Sequence, residues 1–172
     1  MKTATYSDNI NTFILPDLDK KINKTSLFVS FLLLVFAGAM FYLTIFTNND
    51  LGDSAEIFAG IIAVGVALYM LIWQRTKLID RETGSVVSKD RIFYSNDYLQ
   101  SMLLAFENDN FSMFKNFKRL QDGNVQIIFF LAENYKYIAI QVFKYEPFEY
   151  RPQTGIMVYR DANALKLIES LK

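Results

Sequence analysis

Apolar positions fall into two dense blocks in the first half of the chain and a series of shorter, periodic runs after them. Residues 26–46 (SLFVSFLLLVFAGAMFYLTIF) carry no charge. As a helix they would span roughly 31 Å, the thickness of a bilayer core. Residues 57–74 (IFAGIIAVGVALYMLIWQ) are equally uncharged, and Ser54 to Glu56 can complete a first turn, which predicts a second span over 54–74. In hydrocarbon every backbone amide must be bonded within its own segment, so both blocks are expected to be helical. The connection over 47–53 (TNNDLGD) holds two acids and no base. Asp53 with Glu56 three residues later has the spacing of a capping box, and both acids suit the positive end of the second helix. A cleavable signal is the rival for the first block, because Ala37-Gly38-Ala39 follows an apolar run. Against it, the run continues to Phe46 and a long polar segment precedes it.

The first fifteen residues are polar with one apolar patch, the pattern of a loose terminus. Pro16 with the Leu18/Ile22 pair predicts a helix starting near Asp17 and running into the first span. After the second block the periods change. Residues 77–88 read as strand, turn, strand around Arg81-Glu82-Thr83-Gly84. Ser95 or Asn96 caps a helix carrying Leu99, Met102, Leu103 and Phe106. Four strands are then expected, over 111–121, 124–132, 136–145 and 156–160, the first two joined by a hairpin at Asp122-Gly123. Phe111, Phe114, Phe117 and Leu120 recur every three residues, which also suits a helical turn, and the Asp-Gly signal decides for a strand. In 136–145, Ile138, Ile140 and Val142 share one face and Tyr137, Ala139 and Phe143 the other, so this strand is expected to be central and covered on both sides. Asp161 caps a last helix with Leu165, Ile168 and Leu171.

These elements predict an α+β fold: a two-helix transmembrane hairpin followed by a small cytoplasmic antiparallel-sheet domain with packed helices. The expected divisions are an N-terminal segment over 1–25, the hairpin over 26–74 and the domain over 75–172. Charge sets the orientation. Lys20, Lys21 and Lys24 precede the first span, Arg75, Lys77 and Arg81 follow the second, and only acids lie between. The positive-inside rule places both termini in the cytoplasm and assigns Arg75, Lys77 and Arg81 to the membrane surface. The compositional expectation is a bacterial inner membrane. Within the second block, Ala59, Gly60, Ala63 and Ala67 form a small-residue stripe that lets a helix approach closely. Packing within the hairpin is its simpler use, and a dimer seam the other.

Composition then removes chemistry. Cysteine and histidine are both absent. That eliminates disulfides, thiolate nucleophiles, imidazole bases and the usual transition-metal ligands. Net charge is zero, and after Trp73 there are 14 basic against 12 acidic residues, so the electrostatic signature of a nucleic-acid binder is missing. No phosphate loop or dinucleotide motif occurs, and no cofactor is implied. Neither uncharged block, 26–46 or 57–74, contains an acidic or basic residue of the kind an ion pathway needs. Lys115, Lys118 and Arg119 form a basic cluster, read first as a solvated face and second as a contact for anionic headgroups. The segment YEPFEYRPQ over 145–153 is the most distinctive. Pro147 and Pro152 are expected to eject the chain from the sheet, leaving Phe148, Tyr150 and Arg151 as a partner-binding loop, or folding its rings back onto the core. The function expected is a non-catalytic, membrane-anchored interaction or assembly protein, with membrane lipids and a protein partner or second copy as its contacts. A tethered sensor for a small ligand or lipid headgroup is the alternative, and a surface enzyme using carboxylates or tyrosine a third class.

Overall fold

A computed structural model of the chain describes residues 4–46 and 50–171, with side chains described from Ser54 onward in the second stretch. In chain order the elements are β1 (Ala4–Tyr6), β2 (Leu18–Ile22), α1 (Lys24–Phe46), α2 (Asp50–Trp73), β3 (Thr76–Asp80) and β4 (Val86–Tyr94). They continue with α3 (Leu99–Glu107), β5 (Val125–Ala132), β6 (Tyr137–Glu146), β7 (Glu149–Pro152), β8 (Ile156–Arg160) and α4 (Asp161–Leu171). The chain divides into two compact units, Lys20–Lys77 and Met1–Asp19 with Leu78–Lys172.

The first unit is dominated by α1 and α2, both long and apolar enough to cross a membrane. Their burial follows a 3.5-residue period. The repeating positions are Ser26, Ser30, Leu33, Ala37, Met40 and Thr44 on α1 and Glu56, Gly60, Ala63, Ala67 and Met70 on α2, all buried or half-buried; Leu27, Val29, Val64 and Leu71 are also half-buried, off that repeat. Alternating steps of four and three keep one seam facing the partner, as in a coiled coil. The seam is lined mostly by small residues, so the backbones approach closely. A Cβ added at Gly60 would lie 2.9 Å from the Phe41 ring. The Ser26 hydroxyl donates to the Met70 carbonyl at 3.3 Å and the Thr44 hydroxyl to Glu56 at 3.4 Å, which makes the pair antiparallel. Ala59 is half-buried beside the seam.

Two sequence expectations fail in this region. Residues 18–22 form β2, next to β3 in the sheet, instead of a helical extension of α1. The strand is favoured because a neighbouring strand satisfies its backbone: Asn23 donates its amide to the Arg75 carbonyl and Arg81 to that of Asp17. Helix α2 begins at Asp50, so Asp53 sits within its opening turns and not at a cap. Of the expected connection, residues 47–49 lie outside the described residues, as does the Asp53 side chain of the expected capping box.

The second unit is built on an antiparallel half-barrel sheet in the order β1-β8-β6-β5-β4-β3-β2, with β7 beside the C-terminal half of β6. Alternation on β5 and β6 creates two cores. Val125, Ile127 and Phe129 with Ile138, Ile140 and Val142 pack under α3, α4 and the 3-10 turn at Phe111–Asn116. Tyr137, Ala139 and Phe143 pack on the opposite face with Val87 and Ile128. β6 is therefore central and covered on both sides.

The N-terminal segment, expected to be loose, closes that second core. β1 pairs with β8. Ile10, Leu15 and Leu18 are buried. The anchor is Gln141, 0% exposed in the middle of β6. Its amide oxygen accepts from the Ile10 amide at 2.7 Å, and its amide nitrogen donates to the Asp8 and Thr154 carbonyls at 2.9 and 2.7 Å. Every polar atom of that side chain is satisfied, which is what permits its burial.

Two further corrections concern 111–123 and α4. Phe111–Asn116 is a 3-10 turn, not a strand. Three residues per turn bring Phe111 and Phe114 onto one side, where Phe114 meets Phe106 at 4.9 Å and Phe111 meets Tyr159 at 5.2 Å. The strand expected over 111–121 is reduced to a single bridge between Leu120 and Phe93. Gly123 serves close approach and not a hairpin, since a Cβ there would lie 2.5 Å from the Tyr94 carbonyl oxygen. On α4 the buried residues are Ala164, Leu167, Ile168, Ser170 and Leu171, while Leu165 faces outward.

Candidate functional site

Three places in the sheet unit bring chemistry together. The first is the β6–β7 hairpin. Its register pairs Glu146 with Glu149 and Tyr145 with Tyr150, leaving Pro147-Phe148 as the whole turn. The chain thus turns back beside β6 instead of leaving the sheet. Both prolines fit without lost bonds: Pro147 opens the turn and Pro152 sits on an edge strand, where its missing donor is not needed. Phe148 has φ +77° and is 97% exposed. With proline before it, this is the pattern of a type II turn, which prefers glycine at that position.

The three residues singled out in this loop therefore have different surroundings. Phe148 projects from the tip. Tyr150 is half-buried; its hydroxyl donates to the Gly123 carbonyl at 2.7 Å and its ring packs 5.3 Å from Tyr145 and 6.3 Å from Phe93. Burial and the nearby Asp122 carboxylate raise its phenol above the ordinary value, so it stays a hydrogen-bond donor at neutral pH. Arg151 bridges Glu149 at 2.6 Å and Glu146 at 3.2 Å.

The second place is a cleft of about 610 Å³, open to solvent, on the sheet face that carries α4. Its floor is apolar, from Ile92, Phe129, Leu131, Ile138 and Ile168, and Arg91, Arg119 and Asp90 stand among its lining residues. Arg119 is bonded to the Tyr94 hydroxyl and opposes the rise that burial imposes on that phenol. Lys115 and Lys118, its companions in the basic cluster, are exposed.

The third is a polar cluster that the sequence did not announce. Asp80, at the end of β3 beside the β3–β4 turn, is 0% exposed. One carboxylate oxygen accepts from the Thr83 hydroxyl at 2.6 Å and the Thr83 amide at 3.1 Å; the other accepts from Arg160 at 3.2 Å. Arg160 also reaches Glu82 at 2.8 Å and Asp17 at 3.7 Å, and its guanidinium lies 4.8 Å over the Tyr137 ring. Burial acts to raise the Asp80 carboxyl, but the bonds from Thr83 and Arg160 outweigh it and hold the group below the usual carboxylate range. Burial pushes the Tyr137 phenol well up, and its hydroxyl has no hydrogen-bond partner among the described residues. The cluster ties the β3–β4 turn, the end of β8 and the N-terminal segment together, a structural task.

Of the residues assigned to the membrane surface, Arg75 is exposed, Lys77 half-buried, and Arg81 paired with Asp19 at 2.8 Å. Gly60, Ala63 and Ala67 lie in the α1–α2 seam. Among the described residues, no group of three Asp or Glu side chains is placed to hold a metal ion. Gln141 is the residue whose signal was available and unused, a lone amide amid an apolar strand. Comparison with known proteins finds no matching family model, no matching curated protein and no matching solved structure.

Proposed function

We propose that the α1–α2 pair anchors the chain in a membrane, with both flanks on the cytoplasmic side, and that the sheet unit is a non-catalytic interaction module. The observation that carries the anchor is the outer surface of the helices. Away from the seam, Phe28, Phe31, Ile45, Phe58, Ile62 and Trp73 are each more than half exposed, and little of either span is buried. A soluble monomer rarely exposes a continuous apolar surface of that extent, whereas lipid covers it at no cost. Tyr42 with Phe46 near one end of the pair, and Tyr69 with Trp73 near the other, suit the interfacial belts.

The interaction role is supported by the tip of the β6–β7 hairpin. An almost fully exposed phenylalanine in a positive-φ turn contributes nothing to the packing of its own chain. Aromatic anchors of this kind, held rigid, are typical of binding hot spots. The test combines topology with capture. In intact cells a cysteine at Asn49 should label from outside and one at Lys166 should not. In mild detergent the wild-type chain should retain a protein partner or second copy that Phe148→Ala loses. Release of the chain by alkaline carbonate would remove the anchor from the reading; equal retention by both variants would remove the tip.

A further inference from the structure

We propose that the sheet face opposite α4 carries a binding site for a phosphate monoester, held by Lys89, Arg91, Asn11 and Gln126. Such a site is independent of the interaction-module reading above. A cleft of about 470 Å³ opens on this face, lined by Asn11, Lys89, Arg91, Gln126, Ile128 and Tyr150. Cross-strand register fixes which side chains share it. Lys89 stands opposite Phe130, Arg91 opposite Ile128 and Phe93 opposite Gln126, and directly opposed residues lie on one face. Asp90, which also borders the cleft, alternates to the other face. Its carboxylate accepts from the Arg91 backbone amide at 2.7 Å.

A buried amide separates this cleft from any pair of solvated cations. Gln126 is 5% exposed, yet its side chain makes no hydrogen bond among the described residues. A buried polar group left unpaired costs stability, so one lining an open cleft points to a partner from outside. Lys89 and Arg91 likewise form no ion pair among the described residues. Lys89 donates to the Asn11 side-chain oxygen at 2.7 Å and lies 5.6 Å over the Phe130 ring. Arg91 lies 5.5 Å over the Phe93 ring. These contacts hold both cationic heads without neutralising them. Two positions apart on one strand face, the residues sit roughly 7 Å from each other, so their long side chains can meet on one anion. With the Asn11 and Gln126 amides they make a donor-rich site, which fits an oxyanion, and two unpaired cations match a doubly charged phosphate monoester. Asp122 lies beside the Tyr150 hydroxyl but outside the lining, which directs the charged end of the ligand to Lys89 and Arg91. Its organic part then has room against Ile128 and the Tyr150 ring, in a cleft of ordinary small-molecule size.

The experiment uses the full chain in phosphatidylcholine nanodiscs. One arm adds glycerol 3-phosphate; the other builds phosphatidic acid into the nanodisc, which tells a soluble ester from a lipid headgroup. Binding is followed by the phosphorus resonance of the probe. It is located by the Gln126 side-chain amide resonance, assigned through its loss in Gln126→Leu. The expected result is a shift of that amide in at least one arm. Arg91→Gln and Gln126→Leu should each weaken binding about tenfold to a hundredfold, with the melting temperature of Gln126→Leu unchanged or raised. Lys115→Gln, exposed on another part of the sheet unit, should bind as the wild type does. A shift with glycerol 3-phosphate assigns a free ester and a shift with phosphatidic acid alone a headgroup, and either sustains the site. No shift in either arm overturns it. So does binding that survives both substitutions, or that Lys115→Gln weakens equally.

Discussion

Asp80→Ala is the sharpest probe of what holds the sheet unit together. The carboxylate is fully buried and accepts three hydrogen bonds, two from Thr83 and one from Arg160. Removing one member of a buried ion pair costs roughly 3–5 kcal/mol, because the other charge is left without its partner. Here Arg160 keeps Glu82 at 2.8 Å and some exposure, which sets the expectation at the low end, about 3 kcal/mol. Asn is no rescue. One carboxylate oxygen serves Thr83 and the other Arg160, whereas an amide has a single acceptor and must point its NH₂ at a donor. Asp80→Asn should therefore cost nearly as much as Ala. The assay is hydrogen exchange of the β6 amides in the full chain, whose protection reports opening of the core sheet. A loss of about 3 kcal/mol lowers that protection by roughly 150-fold. Combining Asp80→Ala with Arg160→Met should cost less than the sum of the two, since no orphaned cation remains. A fall of less than about fivefold for Asp80→Ala, at about 1.4 kcal/mol per factor of ten, would show that the cluster is decorative.

The same carboxylate gives a pH dependence. Its folded pKa is held below the ordinary value, so its contribution is full above about pH 4 and is lost as pH falls through the folded value; β6 protection should drop on that limb, and less so in Asp80→Ala. Tyr137→Phe removes a buried hydroxyl that has no partner among the described residues and leaves the ring under Arg160, so thermal stability should be unchanged or raised by about 1 kcal/mol. In the helix pair, Ala67→Leu puts bulk into the seam and should abolish a disulfide engineered between Ser26→Cys and Met70→Cys, whereas Gly65→Leu, which faces open space, should leave it intact. Phe148→Gly relieves the positive-φ turn and should stabilise the sheet unit by roughly 0.5–1 kcal/mol, while retention of the captured partner falls; a loss of stability would mean that the ring packs on its own chain.

Much of the fold was legible because periodicity reports burial directly. The β5 and β6 alternation predicts both cores, the apolar blocks predict the two long helices, and the spacing from Leu99 to Phe106 predicts α3. What failed were segments whose local signal is read differently by their neighbours. MKTATYSDNINTFIL looks unanchored because its apolar residues are few, yet Ile10 and Leu15 suffice once Gln141 supplies hydrogen bonds from a distant strand. Phe111, Phe114 and Phe117 have a true three-residue period, that of a 3-10 turn. Asp122-Gly123 overrode it because the glycine that signals a hairpin also permits close backbone approach.

The candidate site was misread through the same ambiguity in proline. A residue without an N–H cannot donate to a ladder, and two such residues a few positions apart suggest a chain leaving its sheet. The hairpin uses both where donation is not required: Pro147 at the first central position of a turn, Pro152 on an edge where Gln153 makes the next bond to the Val142 carbonyl. Sequence alone cannot separate these cases, since each removes the same donor. What differs is the residue between them. In an ejected loop Phe148 would be free to adopt any backbone angle and to fold back onto the core. In a two-residue turn it is held at φ +77° with its ring in solvent, a conformation that costs an L-residue about 1 kcal/mol or more. Tyr150, two residues further along, takes the inward place against Tyr145, Phe93 and Gly123 that a core-capping ring would have taken. The two aromatics thus divide the roles that the sequence left open to both, and only the one at the tip has nothing in its own chain to offset its strain.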